Sequence, residues 1–194
     1  MTSLLRRRNL IPMLVACLLV NAPLGSRASA AEGVPGAVDE FSLKAAFVYN
    51  FTKFTEWPAD ALADPTLRIG VLGADSFGER LAKATSGRLA HARPIEIVHV
   101  STESEMLRCQ LVFVGRAEDQ RVADVLKCVA RHPILTVGEG ERFVERGGMI
   151  RLKLKDNRVR FEVNVAAADS AGLRLSSNLL QLADGVVRAG GGKE

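Results

Sequence analysis

The chain has 194 residues, 47% of them hydrophobic and only 5% aromatic, with 26 basic against 22 acidic side chains. Four arginines (Arg6, Arg7, Arg8, Arg27) and no acidic residue fall in the first thirty positions, so the remainder is formally neutral. A neutral body removes net charge as a basis for nucleic-acid binding, and no apolar run reaches the ~20 residues of a membrane-spanning helix.

Arg6 to Arg8 form a positive n-region, Leu10 to Val20 an apolar run, and Ala28-Ser29-Ala30 a small-residue site. This is the pattern of a secretory signal, with cleavage expected after Ala30 and export to the periplasm. Leu14-Val15-Ala16-Cys17 offers a rival, lipid attachment at Cys17, but the apolar run continues past it to Val20. The arginines also raise twin-arginine export, which the residues after Arg8 fit poorly. Residues 31–39 are rich in Gly, Pro and Ala and read as a flexible arm. Roughly 164 residues follow the signal, enough for one domain with a real core, placed at 40–188. The glycine-rich 189–194 reads as a disordered tail.

From Asp39 to about Thr55 the apolar residues Phe41, Leu43, Ala45, Phe47, Val48, Phe51 and Phe54 share one broad arc of a helix, which Pro58 ends. Strands are expected at 67–72, 95–100, 111–115 and 134–137. Helices are expected at 77–85, 117–131 and 141–145, with one turn at 103–107. Alternation of apolar strands with helices argues for a single layered α/β domain with a mixed, partly parallel sheet flanked by helices. Met149 to Val165 then reads as a hairpin about Asp156-Asn157. Its register pairs Lys155 with Arg158, Leu154 with Val159, Leu152 with Phe161 and Ile150 with Val163, keeping apolar residues on one face. A final helix is expected from Ser177 to Val187, capped by Ser176, with Leu175 and Leu180 at the staple positions and Leu179, Leu182 and Val186 along its stripe.

No pattern for bond-making chemistry stands out. His91, His99 and His132 lie far apart and none has a metal-ligand spacing. There is no C-x-x-C pair, no nucleophile elbow and no phosphate loop, so neither a catalytic site nor a cofactor is expected. Three features rise above background. Six of the ten aromatics (Phe41, Phe47, Tyr49, Phe51, Phe54, Trp57) crowd one stretch, read as a core helix whose wide face, through Tyr49 and Trp57, can also dock a partner. The hairpin sets like charges side by side, Lys153 with Arg160 and Lys155 with Arg158, as a solvated edge or an anion and partner surface. Cys109 and Cys128 flank a strand and its returning helix, which puts both near one end of the sheet, and a disulfide between them is expected.

The run Glu40 to Pro58, EFSLKAAFVYNFTKFTEWP, resembles the opening of the YfiR/HmsC family of periplasmic regulators. So do Val71-Leu72-Gly73 with Phe77-Gly78, Leu135-Thr136-Val137-Gly138, Phe143, Gly147-Gly148-Met149-Ile150, Arg160 to Asn164, Ala171-Gly172-Leu173, Ser176-Ser177 and Leu179-Leu180. The resemblance implies a non-catalytic inhibitor that binds the periplasmic part of an inner-membrane diguanylate cyclase, is relieved by envelope or redox stress, and so controls cyclic-di-GMP and biofilm formation. It also implies a homodimer. Cys109 matches a family disulfide position whose usual partner, in the first strand, is Gly70 here. A periplasmic small-ligand sensor without a cyclase partner is the alternative, and an envelope hydrolase comes third.

Overall fold

Helix α1 (Glu40–Phe54) is followed at once by a two-residue strand, β1 (Thr55–Glu56). The computed structural model describes residues 39–73 and 75–188. The expected signal, its cleavage site, Cys17, residues 31–38 of the arm and the tail at 189–194 lie outside the described residues. Among the described residues no helix is long and apolar enough to cross a membrane.

The main sheet is built from β2 (Leu67–Leu72), β3 (Leu89–Ala90), β4 (Arg93–His99), β5 (Leu111–Val114), β6 (Leu135–Gly138), β7 (Ile150–Lys155), β8 (Arg158–Asn164) and β10 (Gly185–Val187). Its order is β10-β8-β7-β6-β5-β2-β4-β3. Strands β4, β2, β5, β6 and β7 run parallel, as helical crossovers require. Helices α2 (Asp75–Thr85), α3 (Glu103–Met106) and α4 (Val122–Val129) supply three of those crossovers, and turns connect β6 to β7. Strand β8 turns back antiparallel to β7, and β10 adds parallel to β8. A second, two-stranded sheet pairs β1 with β9 (Arg174–Leu175), tying the end of α1 to the C-terminal region.

Two apolar layers follow from the strand pleat, which sends alternate side chains to opposite faces. One face packs Ile69, Val71, Leu111, Phe113, Leu135, Val137, Ile150 and Phe161 against Ala45, Val48 and Phe51 of α1 and Phe77 and Leu81 of α2. The other packs Leu72, Val112 and Val114 against Val122, Val125, Leu126 and Val129 of α4. Phe51 and Phe161 meet edge to face at 5.1 Å, and Phe77 stacks on Phe113 at 4.2 Å. The buried stripe of α1 is narrower than its apolar arc, since Phe41 is left 40% exposed.

The hairpin forms in the expected register, pair for pair from Lys155–Arg158 to Ile150–Val163. Asp156 and Asn157 both take positive φ (51° and 55°), the requirement of a type I′ turn whose twist matches the strands. Three expected helices differ. Residues 116–121 are a 3-10 turn kinked at Glu118, and regular helix covers only Val122–Val129. Residues 141–147 are turns, with Arg142 at φ 61°. There the Phe143 ring lies between Gly138 and Gly148, where an added Cβ would come within 2.4 and 2.2 Å of it. The last helix, α6, spans only Ser177–Gln181. The chain then bends at Asp184, whose N–H donates to the Phe161 carbonyl at 2.8 Å, and continues as β10. Val186 is therefore a strand residue, and Leu182 is 68% exposed. Ser176 caps α6 as expected, its hydroxyl accepting from Leu179 N–H. Helix α5 (Val165–Ser170) was not expected; Asn164 caps it, accepting from Ala167 N–H at 3.0 Å.

Candidate interaction surface

The outward face of β7 and β8 carries Arg151, Lys153, Lys155, Arg158, Arg160 and Glu162, because the register sends Ile150, Leu152, Phe161 and Val163 to the core. Lys153 does not face Arg160 uncompensated. Its ammonium lies 3.0 Å from Glu162 and 2.6 Å from Asp184, in the bend before β10. Arg151 reaches Glu162 at 3.3 Å, while its Nε is buried without a hydrogen-bond partner among the described residues. Burial works against the Lys153 charge, but the hydrogen bonds to Asp184 and Glu162 outweigh it and raise the Lys153 pKa. The same hydrogen bond from Lys153 holds the Asp184 carboxyl below its ordinary value against the opposing effect of burial, with the charges of Lys153, Lys155 and Arg160 adding to it.

The base of the hairpin is thus neutralised and its tip is not. Lys155 is 58% exposed and lies 3.8 Å from Asp184. Arg158 and Arg160 are exposed and make no ion pair among the described residues. Leu154, on the other face of the same tip, is 47% exposed. A solvated cluster of three cations near an apolar side chain can recognise an acidic partner surface through charge-assisted hydrogen bonds. The sequence located these cations. It could not pair Lys153 with Asp184, because nothing local links them.

The aromatic stretch divides between core and surface. Trp57, expected at a partner surface, is a core residue: it is 8% exposed and its indole N–H donates to the Gln110 carbonyl at 3.2 Å. The β1–β9 ladder, which begins directly after α1, leads into it. Tyr49 is half-buried, with its hydroxyl donating to the Leu89 carbonyl and with Lys53 and Arg88 over its ring.

Both cysteines are free thiols in the structure, where a bond between them was expected. They point to different neighbours. Cys109 Sγ donates to the Glu105 carbonyl and lies beside Gly70 and Val100; burial pushes its pKa up to about 11. Cys128 is raised as well, by burial and by the Glu103 carboxylate. Neither environment makes a reactive thiolate.

The histidines have structural settings. His91 Nε2 bonds the Thr52 carbonyl at 2.9 Å and its ring meets Trp57 edge to face, while the His99 ring packs on Gly78. His132 is exposed. Among the described residues no group of three or more His, Cys, Asp or Glu side chains could hold a metal.

Sequence reasoning missed the crevice at the carboxyl ends of β2 and β5. Strands on either side of it connect in opposite directions, the position where open α/β sheets take ligands. Here the protein fills it. The Glu118 side chain lies over Gly73, where a Cβ would be 2.1 Å from its Cγ. Lys44 from α1, 8% exposed, pairs with Glu139 just after β6 and with Glu40 at 2.5 Å. What remains is a cavity of about 280 Å³ lined by Gly73, His99, Ser101, Glu118 and Arg121. A second, of about 250 Å³, lies beside Arg68, Val98 and Cys109.

Comparison with known proteins adds two findings. The family model described as YfiR/HmsC-like matches residues 41–184. The chain is also similar to a solved structure described as a conserved domain protein from Vibrio cholerae O1 biovar El Tor, with a TM-score of 0.52 and 11% identity. That match covers 76% of this chain and 60% of the other, so this chain spans about three fifths of it. At that identity the likeness shows the fold alone.

Proposed function

The chain belongs to the YfiR/HmsC-like family, and on that premise we propose that it is a non-catalytic periplasmic regulator of cyclic-di-GMP signalling that binds and represses an inner-membrane diguanylate cyclase. The family match over nearly the whole described domain carries this reading. Export through the leading segment, cleaved after Ala30, places the domain where the periplasmic part of such a cyclase lies. Repression needs no chemistry. A protein that binds the inactive conformation of its target more tightly than the active one shifts the population by that difference in affinity. A releasing signal must reduce the difference. Formation of a homodimer belongs to the same reading.

The hairpin tip supports a contact with an acidic surface, since Lys155, Arg158 and Arg160 gather there on a rigid two-stranded support. Lys153 serves as the internal anchor of that support through Glu162 and Asp184. The small-ligand sensor gains little from the structure, because the Glu118 side chain lies over Gly73 at the switch point.

The test is capture from the envelope fraction on the tagged chain, run beside a Lys155→Glu/Arg158→Glu/Arg160→Glu variant. The native chain retains a membrane-anchored diguanylate cyclase, and the variant retains at least about tenfold less, as loss of interfacial charge pairs predicts. Capture of no membrane cyclase sinks the regulator reading. Equal capture by both forms removes the hairpin from it.

A further inference from the structure

The turn after α2 and the two-residue strand β3 form a fixed corner against α1. Gly87 turns at φ 69°, and Arg88 N–H donates to the Thr85 carbonyl at 2.9 Å. The Tyr49 hydroxyl of α1 donates to the Leu89 carbonyl at 3.3 Å, and His91 Nε2 bonds the Thr52 carbonyl at 2.9 Å. The pleat of β3 buries Ala90 and turns Leu89 outward, 56% exposed. Two cations flank the half-buried Tyr49 ring: Lys53 Nζ lies 5.6 Å and Arg88 Cζ 5.0 Å from its centroid. Both are exposed, as is Lys83 in the last turn of α2. Among the described residues none of the three makes an ion pair. The other aromatic–cation cluster of α1 differs. Lys44 and Arg80 lie over Phe41, but Glu40, Glu139 and Asp39 pair with them.

We propose that Tyr49, Lys53, Arg88 and Leu89 make a peripheral contact with an anionic phospholipid surface. The cations meet lipid phosphates, the Tyr49 ring sits at headgroup level, and Leu89 reaches the acyl boundary. Charge selects an anionic occupant. Exposed cation–π contacts are weak, so Lys53 and Arg88 stay free to turn to an outside anion. The mixture of groups selects a bilayer over an acidic protein. Protein interfaces keep charge out of their centre and gather apolar anchors there. Here the cations are central, and the strongly exposed apolar group of the corner is a single leucine. A headgroup layer takes that mixture: long cationic side chains follow the phosphates while a fixed aliphatic group enters below them. Each cation contributes roughly a fivefold gain in partitioning, so the contact is weak and salt-sensitive. It concentrates the exported domain at the membrane that holds its proposed target. The inference rests on export to the periplasm and is independent of the cyclase.

The chain, processed as the cell processes it, is floated with vesicles of phosphatidylcholine mixed with phosphatidylglycerol, and with vesicles of phosphatidylcholine alone. It floats with the mixed vesicles only, and rising salt releases it. Lys53→Glu/Arg88→Glu lowers partitioning at least about tenfold. Leu89→Ser lowers it several-fold, and both variants keep the far-UV spectrum. Lys155→Glu/Arg158→Glu/Arg160→Glu, at the hairpin tip, floats as the native chain does. A second readout serves where the charge-reversed corner fails to fold. In a Cys109→Ala/Cys128→Ala background, a polarity-sensitive dye on Leu89→Cys shifts to the blue on mixed vesicles, and the same dye on Leu182→Cys does not. No flotation with mixed vesicles overturns the contact, and loss of cyclase capture by the Lys53/Arg88 variant then assigns the corner to a protein. Equal flotation with both vesicle types, or flotation untouched by that variant, also overturns it. Loss of flotation by the hairpin variant moves the contact to the tip and overturns it as well. Vesicle binding without capture of any cyclase sinks the regulator reading and leaves this one standing.

Discussion

A Cβ built on Gly70 would lie 3.0 Å from Cys109 Sγ, close to what a C–S–S linkage spans when the S–S bond is about 2.05 Å. Gly70→Cys should therefore bond Cys109. The contact with Val100, also at 3.0 Å, sets how much side-chain adjustment this takes. Closing a loop of that size removes chain entropy equivalent to about 4 kcal/mol before strain. The check is alkylation of the denatured chain without reductant. The native sequence should label at both Cys109 and Cys128, and the variant only at Cys128, with a higher melting temperature that reductant reverses. Labelling of all three thiols in the variant would show the apposition to be wrong. In the folded protein Cys109 should label slowly, because a thiol with a pKa of about 11 holds little thiolate near neutrality. At this scale the backbone at Gly70 holds the geometry for a bond to Cys109.

Among the elements the hairpin is the most completely determined by local sequence. Alternating apolar and charged residues fix its faces, and Asp156-Asn157 supplies two residues that tolerate positive φ. Asn157→Gly should stabilise it by a few tenths of a kcal/mol to about 1 kcal/mol, since glycine takes φ above zero without a Cβ penalty; a shift in the urea midpoint measures this, and destabilisation would contradict the turn assignment. The same logic explains what the sequence made legible. Helix α1, the parallel strands and the hairpin carry their periodicity within themselves. The last segment does not: Leu179, Leu182 and Val186 have helical spacing, yet β8 offers an open edge that takes Gly185–Val187 as a strand. Residues 141–145 have helical composition, but packing Phe143 between Gly138 and Gly148 dictates turns. The cations of the candidate surface were legible because they lie on one hairpin. Their neutralisation by Asp184, the burial of Trp57 and the Lys44–Glu139 pair were not, because each depends on segments distant in sequence that meet only in the fold.

For the whole molecule, ionisation sets where stability is lost. Backbone N–H donors of Ser101 and Thr102 bring the Glu105 pKa down to about 2, from an ordinary 4.5; Glu105 closes the capping box of α3 with Thr102. Asp184 is lowered through its hydrogen bond with Lys153. Carboxylates with depressed folded-state pKa values contribute stability that is complete above their unfolded values and is lost as pH falls through the folded ones. For Glu105 that window runs from 4.5 down to about 2. Lys44 and Lys153 are shifted the other way: burial opposes their charge, but Glu139 and Glu40 around Lys44, and Asp184 and Glu162 around Lys153, raise both above 10.5. Their contribution is complete below 10.5 and fades as pH rises through the folded values. The thiols of Cys109 and Cys128, raised by burial from an ordinary 9.0, also weaken folding as pH passes 9, so stability should be flat between about pH 5 and pH 8 and fall on both sides. Melting temperature against pH checks this, with Glu105→Gln separating the acid limb from general charge repulsion. The variant should melt below the native chain at pH 7, and the gap should close as pH approaches 2, where native Glu105 protonates as well. A gap that stays constant across that range would mean that the α3 capping carboxylate does not titrate as its hydrogen bonds require.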